Sequence, residues 1–541
     1  MTTPLPEFMD QVVTGRPASV YDLDLDGTKI GWYRERVEAW RRGELTAPIT
    51  MDVAWTRKCA AACNFCIFPN SRILMADGST KRMIDVRVGD VVVSIDDNGD
   101  HTASTVTAHW MTSPFERGLR IETALGNLKC TASHLVRTDE GWVEAGNLRI
   151  GDIVYQVTVE HSSMAKEEYA LADGDWQYRT RPCMVSSLGK IRAIADAGYS
   201  PVYDLECGPY HNFVADGIVV HNCYAQLQAS EDTVITRQNA LDYLDDAADI
   251  GVKGVSLISD GESTEVPFFA ESIEYGAKRG LQIGTSSNGV KLTPDVLERI
   301  LPGLTYIRFN FSGGDKHRWA QIMGLKQPLF DRVVNNIKAA MAIKRRDNLP
   351  VNINMQFVVM PRDADQILPF ARLAKEIRPD YAIMKHCANS ADADLDVDYR
   401  HYNALFPVFQ EAEAMSDETF RVAVKWSRIQ DEGKRDYQRC YGPPHVLQMS
   451  GNGLIAPCGQ KFNSKYAKFH IGNITRTRFK DIFHSERYRE VLNYLASDAF
   501  NASQDCGENC LQTNSNSWLN KWVQGRVDFP TTPPPPHLGF L

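Results

Sequence analysis

The 541-residue sequence contains no run of about 18 apolar residues, so no stretch of it reads as a membrane-spanning helix. Its start, MTTPLPEFMDQVV, lacks the basic stretch followed by an apolar one that marks a secretory signal. Positive charge is in deficit: the formal net charge of −9 argues against nucleic acid or a membrane surface as a principal partner. These absences point to a cytoplasmic location. Low complexity is confined to the end, TTPPPPHLGFL (531–541), which is expected to be a disordered Pro-rich tail. The rest is ordinary for globular protein, at 43% hydrophobic and 23% charged, and the length suggests roughly three domains.

Against that plain background the chain has twelve cysteines. In a cytoplasmic setting, disulfides are a poor explanation for them. Cys59, Cys63 and Cys66 crowd one spot, Cys223 follows much later, and Cys440, Cys458, Cys506 and Cys510 lie near the end. Clustered thiols suggest metal or nucleophilic chemistry. The scattered Cys130, Cys183, Cys207 and Cys387 read as small buried apolar residues.

Short apolar runs alternate with amphipathic helical stretches between Cys223 and about residue 425. The runs are VKGVSLIS (252–259), LQIGTSS (281–287), TYIRFNFS (305–312), VNINMQFVVM (351–360) and YAIMK (381–385), and ITMDVAW (49–55) supplies an earlier strand. Six such strands covered by helices predict a parallel α/β unit of barrel type. Residues 66–222 break the rhythm with β-like pieces and turns, which predicts an all-β module set inside the α/β domain. Its polar stretch HSSMAKEEYALADGDW (161–176) is expected to be a surface loop.

Splicing at a peptide bond needs a nucleophile, groups that polarise the amide, an asparagine that can cyclise and a second nucleophile. Cys66 can attack the Phe65 carbonyl. Thr131 and His134 of TASH offer a hydroxyl and an imidazole for that amide. At the far end, His221 can assist Asn222 cyclisation, and Cys223 can accept the acyl chain. CIFPNSRILMADGSTKRMIDVRVGD, GNLKCTASHL and VYDLECGPYHNFVADGIVVHNC resemble motifs of Hint-fold inteins. That resemblance implies an N–S acyl shift at Cys66, transfer to Cys223, Asn222 cyclisation and a final S–N shift. It also implies that Asp204 and His211 couple the two cleavages. At 157 residues, with no space for an endonuclease, the segment is similar to a mini-intein.

Removing those 157 residues from 541 leaves 384, with KCAAACNFCYAQLQ at the junction. Cys59, Cys63 and Cys223 then stand in C-x3-C-x2-C, which can hold three irons of a 4Fe–4S cluster and leave the fourth open. Directly after a first barrel strand, this pattern resembles the radical S-adenosylmethionine (SAM) superfamily and its partial (β/α)6 barrel. The resemblance implies SAM contacts at Asp260, Gly261 and Glu262, at Ser287 and Asn288, and at Arg308 and Ser312. Asp260 stands where the family's GGE-type motif has Gly. The implied chemistry is reductive cleavage of SAM to a 5′-deoxyadenosyl radical that abstracts a substrate hydrogen, with a reductant such as flavodoxin or ferredoxin.

Cys440 and Cys458 flank VLQMS and GLIAPC, which meet at Asn452-Gly453, a strong hairpin signal. Cys506 and Cys510 follow as C-x3-C. This set, with HIGNI and DIFHSERYREVL, resembles the SPASM/twitch extension of radical SAM enzymes and implies one auxiliary 4Fe–4S cluster; zinc is the alternative for four thiolates. Such extensions imply a peptide or protein substrate first and a small molecule, such as a sugar or nucleotide precursor, second. The expected division is 1–65 (first strand and two cluster cysteines), 66–222 (mini-intein), 223–425 (barrel remainder), 426–530 (auxiliary domain) and 531–541 (tail).

Overall fold

The computed structural model describes residues 28–57, 67–96, 99–132, 134–139, 141–170, 176–208, 210, 212–221, 233–388, 399–507 and 510–541. The chain divides into two compact units, residues 62–227 and the remainder, close to the expected limits of the insert.

The host unit is built on one sheet. Its strands are β1 (Thr50–Val53), β2 (Gly254–Leu257), β3 (Gln282–Ser287), β4 (Leu304–Asn310), β5 (Asn352–Val359), β6 (Tyr381–His386), β7 (Arg421–Val424), β8 (Val446–Met449), β9 (Leu454–Ala456) and β10 (Gly472–Asn473). Their order is β7-β6-β5-β4-β3-β2-β1-β8-β9-β10. From β7 through β8 every neighbour is parallel. β8, β9 and β10 then run antiparallel. β2 is buried along its whole length, as expected of a strand covered on both faces.

Helices provide the cover. Arg237–Ile250 begins in a capping box, with the Asn239 N–H donating to Thr236 and the Asn239 side chain accepting from the Thr236 N–H, and ends at Gly251 with φ 98°. It buries Ala240, Leu244 and Ala247 against the sheet, at about 1.5–3 kcal/mol for each large apolar side chain. Phe269–Lys278 and Ile367–Ile377 likewise bury an apolar face, though neither begins in a side-chain cap.

Three expectations need correction. The parallel run is longer than six strands, because β7 and β8 extend it at its two ends. Each is only four residues long, too short to show a period in sequence. The Pro-rich tail is not disordered. Gly539 accepts from the Thr50 hydroxyl at 2.9 Å and donates to Gln282 at 3.1 Å. The Phe540 ring meets Tyr306 edge-on at 4.9 Å. The physical reason lies at Gly254, where any Cβ would collide with the Gly539 carbonyl, so backbone packs directly on backbone at the strand beginnings. Third, most of 161–176 is not a loop: Ile153–Ala170 and Trp176–Lys190 pair as a long antiparallel ribbon. Such a ribbon pairs its own backbone groups and needs no apolar run to announce it.

The insert unit has no α-helix among its described residues. One sheet orders Trp176–Lys190, Ile153–Ala170, Leu135–Thr138, Ile218–His221, Asn212–Ala215, Arg72–Leu74 and Thr80–Arg82, with Gly141–Glu144 beside Leu135–Thr138. The other joins Ala193–Gly208, His101–Glu122 and Val91–Ile95, with Asn127–Thr131 beside His101–Glu122. Ile73, Val92, Val106, Leu128, Phe213 and Val220 belong to one core.

Candidate functional site

Cys59, Cys63, Cys66, His211, Asn222 and Cys223 lie outside the described residues. The structure does describe what surrounds them in sequence. Ile67, next after Cys66, exchanges two backbone hydrogen bonds with Tyr203, both at 2.8 Å, and forms a bridge with Cys130. The Phe68 N–H donates to the Lys129 carbonyl at 3.0 Å. The beginning of the insert is thereby held between two strands, one residue from Thr131 and one from Asp204.

Thr131 and His134 are both buried. The His134 N–H donates to the Thr131 carbonyl at 3.1 Å, and the Gly146 N–H closes on Ala132 at 2.6 Å, which fixes a tight turn. From His134 the chain enters Leu135–Thr138, where Val136 pairs with Val220 of the last strand. That strand ends in His221, buried edge-on against Trp142 with ring centroids 4.9 Å apart. Thr131, Asp204 and His221 thus sit on strands stitched to both ends of the insert, and His134 directly precedes another. Asp204 is fully buried and accepts the Leu205 N–H at 2.8 Å.

Two residues here were not singled out from sequence. Asn212 accepts from the Ile95 N–H at 2.7 Å and returns a bond to the Ile95 carbonyl at 2.9 Å, anchoring the strand that follows His211. Trp142 packs on His221. Only the adjacency of Asn212 to His211 offered a signal. Cys130 and Cys207 are buried in the insert core, and burial pushes the Cys130 thiol far up, as suits an inert packing group.

In the host, Gly261 has φ +91°, and a Cβ there would collide with the Thr56 carbonyl oxygen. Gly451 abuts Thr56 and Arg57 as tightly. Two glycines therefore clasp the backbone leading toward Cys59. Asp260 accepts from the Ser450 hydroxyl at 2.6 Å and the Gly451 N–H at 2.9 Å. This gives a physical reason for an aspartate at that position: its carboxylate fastens the β8–β9 hairpin.

Glu262 is buried and accepts from the Thr264 hydroxyl and the Asn288 N–H, both at 2.8 Å, tying the loops after β2 and β3 together. Ser287 accepts the Gly289 N–H at 3.0 Å, and Ser312 the Val358 N–H at 3.4 Å. The Asn288 side-chain nitrogen and Arg308 Nε are buried without a hydrogen-bond partner in the structure. Such atoms are expected where a polar ligand completes the site. Glu262, Ser287, Asn288 and Ser312 lie at or just beyond the C-terminal ends of β2, β3 and β4, where parallel sheets bind ligands. The set suits SAM. Asp52 on β1 is pushed up to about 6, burial outweighing the bond it accepts from Gln448 at 3.0 Å.

The four C-terminal thiols share one neighbourhood. The Asn516 amide reaches Cys440 Sγ at 3.7 Å and Cys510 Sγ at 3.9 Å, and the Gln512 N–H donates to Cys510 Sγ at 3.3 Å. Burial first, and the other thiols second, push Cys440 well above the usual thiol range and Cys458 up to about 12. Burial keeps these thiols protonated on their own, and four of them in one neighbourhood fit the donor set of an iron–sulfur cluster. Among the described residues, no three His, Cys, Asp or Glu side chains converge closely enough for a single metal ion. No helix there is long and apolar enough to cross a membrane.

Residues 73–222 match the intein splicing domain family, and residues 440–511, which span all four C-terminal thiols, match the SPASM family, an iron–sulfur cluster-binding domain. An AdoMet-dependent heme synthase from Methanosarcina barkeri is 24% identical over 298 residues, covering 50% of this chain and 80% of the relative. The mycofactocin maturase MftC of Mycolicibacterium smegmatis is 23% identical, covering 50% of this chain and 68% of its own. RecA of Mycobacterium shimoidei is 31% identical over 122 residues, covering 21% of this chain and 27% of the relative. The solution structure of the DnaX mini intein from Spirulina platensis is 24% identical, covering 29% of this chain and 99% of its own, with TM-score 0.24. The chain is a radical SAM enzyme with a SPASM domain, interrupted by an intein splicing domain.

Proposed function

We propose that the insert excises as Cys66–Asn222 and joins Phe65 to Cys223. Cys66 attacks the Phe65 carbonyl, Thr131 and His134 polarise that amide, and Asp204 and His211 couple this step to Asn222 cyclisation assisted by His221. The observation that supports the reading most is the stitching of Ile67 between Cys130 and Tyr203, because it holds the residue after Cys66 beside Thr131 and Asp204. Asn222→Ala is expected to stop ligation; unchanged ligation on a gel would refute this assignment.

Ligation leaves Cys59, Cys63 and Cys223 to hold a 4Fe–4S cluster after β1 of the host's parallel sheet. When bound, that cluster supplies the electron for reductive cleavage of SAM. Glu262, Ser287, Asn288, Arg308 and Ser312 orient SAM. Gly261 lets the loop after β2 approach the cysteine-bearing segment, and Asp260 acts beside them by fixing the hairpin. Anaerobic incubation of the reduced, ligated, iron-loaded protein with SAM is expected to release 5′-deoxyadenosine; no release would overturn the reading.

Cys440, Cys458, Cys506 and Cys510 hold an auxiliary 4Fe–4S cluster. The match of residues 440–511 to an iron–sulfur cluster-binding domain favours a cluster over zinc. A peptide or protein substrate is favoured by the likeness to a protein named as a maturase, and a small molecule by the likeness to one named as a heme synthase. A flavodoxin or ferredoxin is the proposed electron donor.

A further inference from the structure

In the chain that still contains its insert, β1, the last host strand before the insert, is paired with β2 on one side and β8 on the other. Its Asp52 accepts from the Gln448 side chain at 3.0 Å, and Gln448 in turn accepts from the Gly459 N–H, next after Cys458. Asp260 fastens the β8–β9 hairpin through Ser450 and Gly451. Host sequence from both sides of the insert therefore meets at this hairpin before any residue is removed.

The segments that carry the four C-terminal thiols are tied to one another by residues that all follow the insert. The Cys440 N–H donates to the Leu495 carbonyl at 3.0 Å. Asn516, whose amide reaches Cys440 and Cys510, accepts from the N–H groups of Tyr441 and Gly442 at 2.7 and 2.8 Å. Gln512 donates to the Val446 and Pro457 carbonyls, each at 2.9 Å, and so binds the Cys510 segment to the hairpin beside Cys458. Lys461 donates to the Asp505 carbonyl, next before Cys506, at 2.6 Å. None of these bonds involves a residue of the insert. A metal site depends on a fold that holds its ligands, and here that fold stands without ligation. The first cysteine cluster differs, because Cys59 and Cys63 precede the insert and Cys223 follows it. We infer that the C-terminal thiol site takes up its iron and sulfide in the unspliced precursor, before the first cluster can form. This rests on the reading of these four thiols as a cluster site.

The test is metal and sulfide analysis of the full-length chain, blocked by Cys66→Ala/Asn222→Ala and purified anaerobically. It should hold roughly four irons, and Cys440→Ser in the blocked chain should lower that at least fivefold. Cys59→Ser/Cys63→Ser in the blocked chain should leave the iron unchanged, which assigns it to the C-terminal set. Near-ultraviolet circular dichroism checks folding, and Cys66→Ala/Asn222→Asp provides a second blocked chain. Folded blocked chains free of metal beside a loaded spliced chain would overturn the inference. So would iron that is lost with Cys59 and Cys63 but kept in Cys440→Ser. Zinc in place of iron in both blocked and spliced chains would instead overturn the cluster reading.

Discussion

Cys130 and Cys207 in the insert, and Cys440, Cys458, Cys506 and Cys510 in the host, are the same chemical group in opposite surroundings. The insert pair sit fully buried in its core with Leu128, Val106 and Leu205, and what raises the Cys130 thiol is burial and the charge of Asp216. The host four are half-buried, and each of Cys440, Cys458 and Cys506 senses the charge of at least one other thiol. Burial alone suits a cysteine to packing; burial in company is what the proposed cluster site would use. The contrast extends to the sites. The insert keeps Thr131, His134, Asp204 and His221 at strand crossings tied to its two ends. The host gathers Glu262, Ser287, Asn288 and Ser312 along the C-terminal rim of its sheet.

That comparison can be broken most severely at the splice. Asn222→Ala should cut ligated product by about a hundredfold or more, whereas Cys130→Ala should leave ligation and host iron intact and cost the insert about 1–2 kcal/mol; gel densitometry and denaturant titration read the two. Cys440→Ala in the spliced protein should abolish the C-terminal iron, counted by metal analysis against the parent. Gly261→Ala must put a side chain at φ +91° against the Thr56 carbonyl, and should destabilise the host by about 2–3 kcal/mol in denaturant unfolding.

A smaller effect separates buried carboxyls from thiols. Asp52 is raised from 3.8 to about 6 by burial, so the fold favours its protonated form. Its stabilising contribution is therefore complete below pH 3.8 and is lost as pH rises through 6. Asp52→Asn should be more stable than the parent at pH 8 by about 2 kcal/mol, with the gap closing toward pH 4 in urea titrations. Least of all, Thr236→Ala should remove a helix cap worth about 1 kcal/mol, seen as a small fall in the host melting temperature.

Much of this organisation was legible in sequence because it is local. The six parallel strands were continuous apolar runs, and the hairpin was marked by Asn452-Gly453, which the structure turns with Gly453 at φ 88°. TASH and the final His221 were short motifs in a fixed order. What was hidden depends on distant partners. Nothing near Asp260 in sequence reveals that it accepts from Ser450 and Gly451, 190 residues away. The tail looked unstructured because four prolines in a row exclude helix and sheet; its order comes from Gly539 and Phe540 meeting strand beginnings far upstream. Asn212 gave no sign of clamping Ile95, since only the fold brings those strands together.

The most direct trial is an intact mass spectrum of the protein expressed from the full sequence under reducing conditions. Two species are predicted: a 384-residue polypeptide in which Phe65 is bonded to Cys223, and a free 157-residue segment ending at Asn222. A spectrum with only the uncut 541-residue chain, or with separate unjoined flanks, would contradict the account.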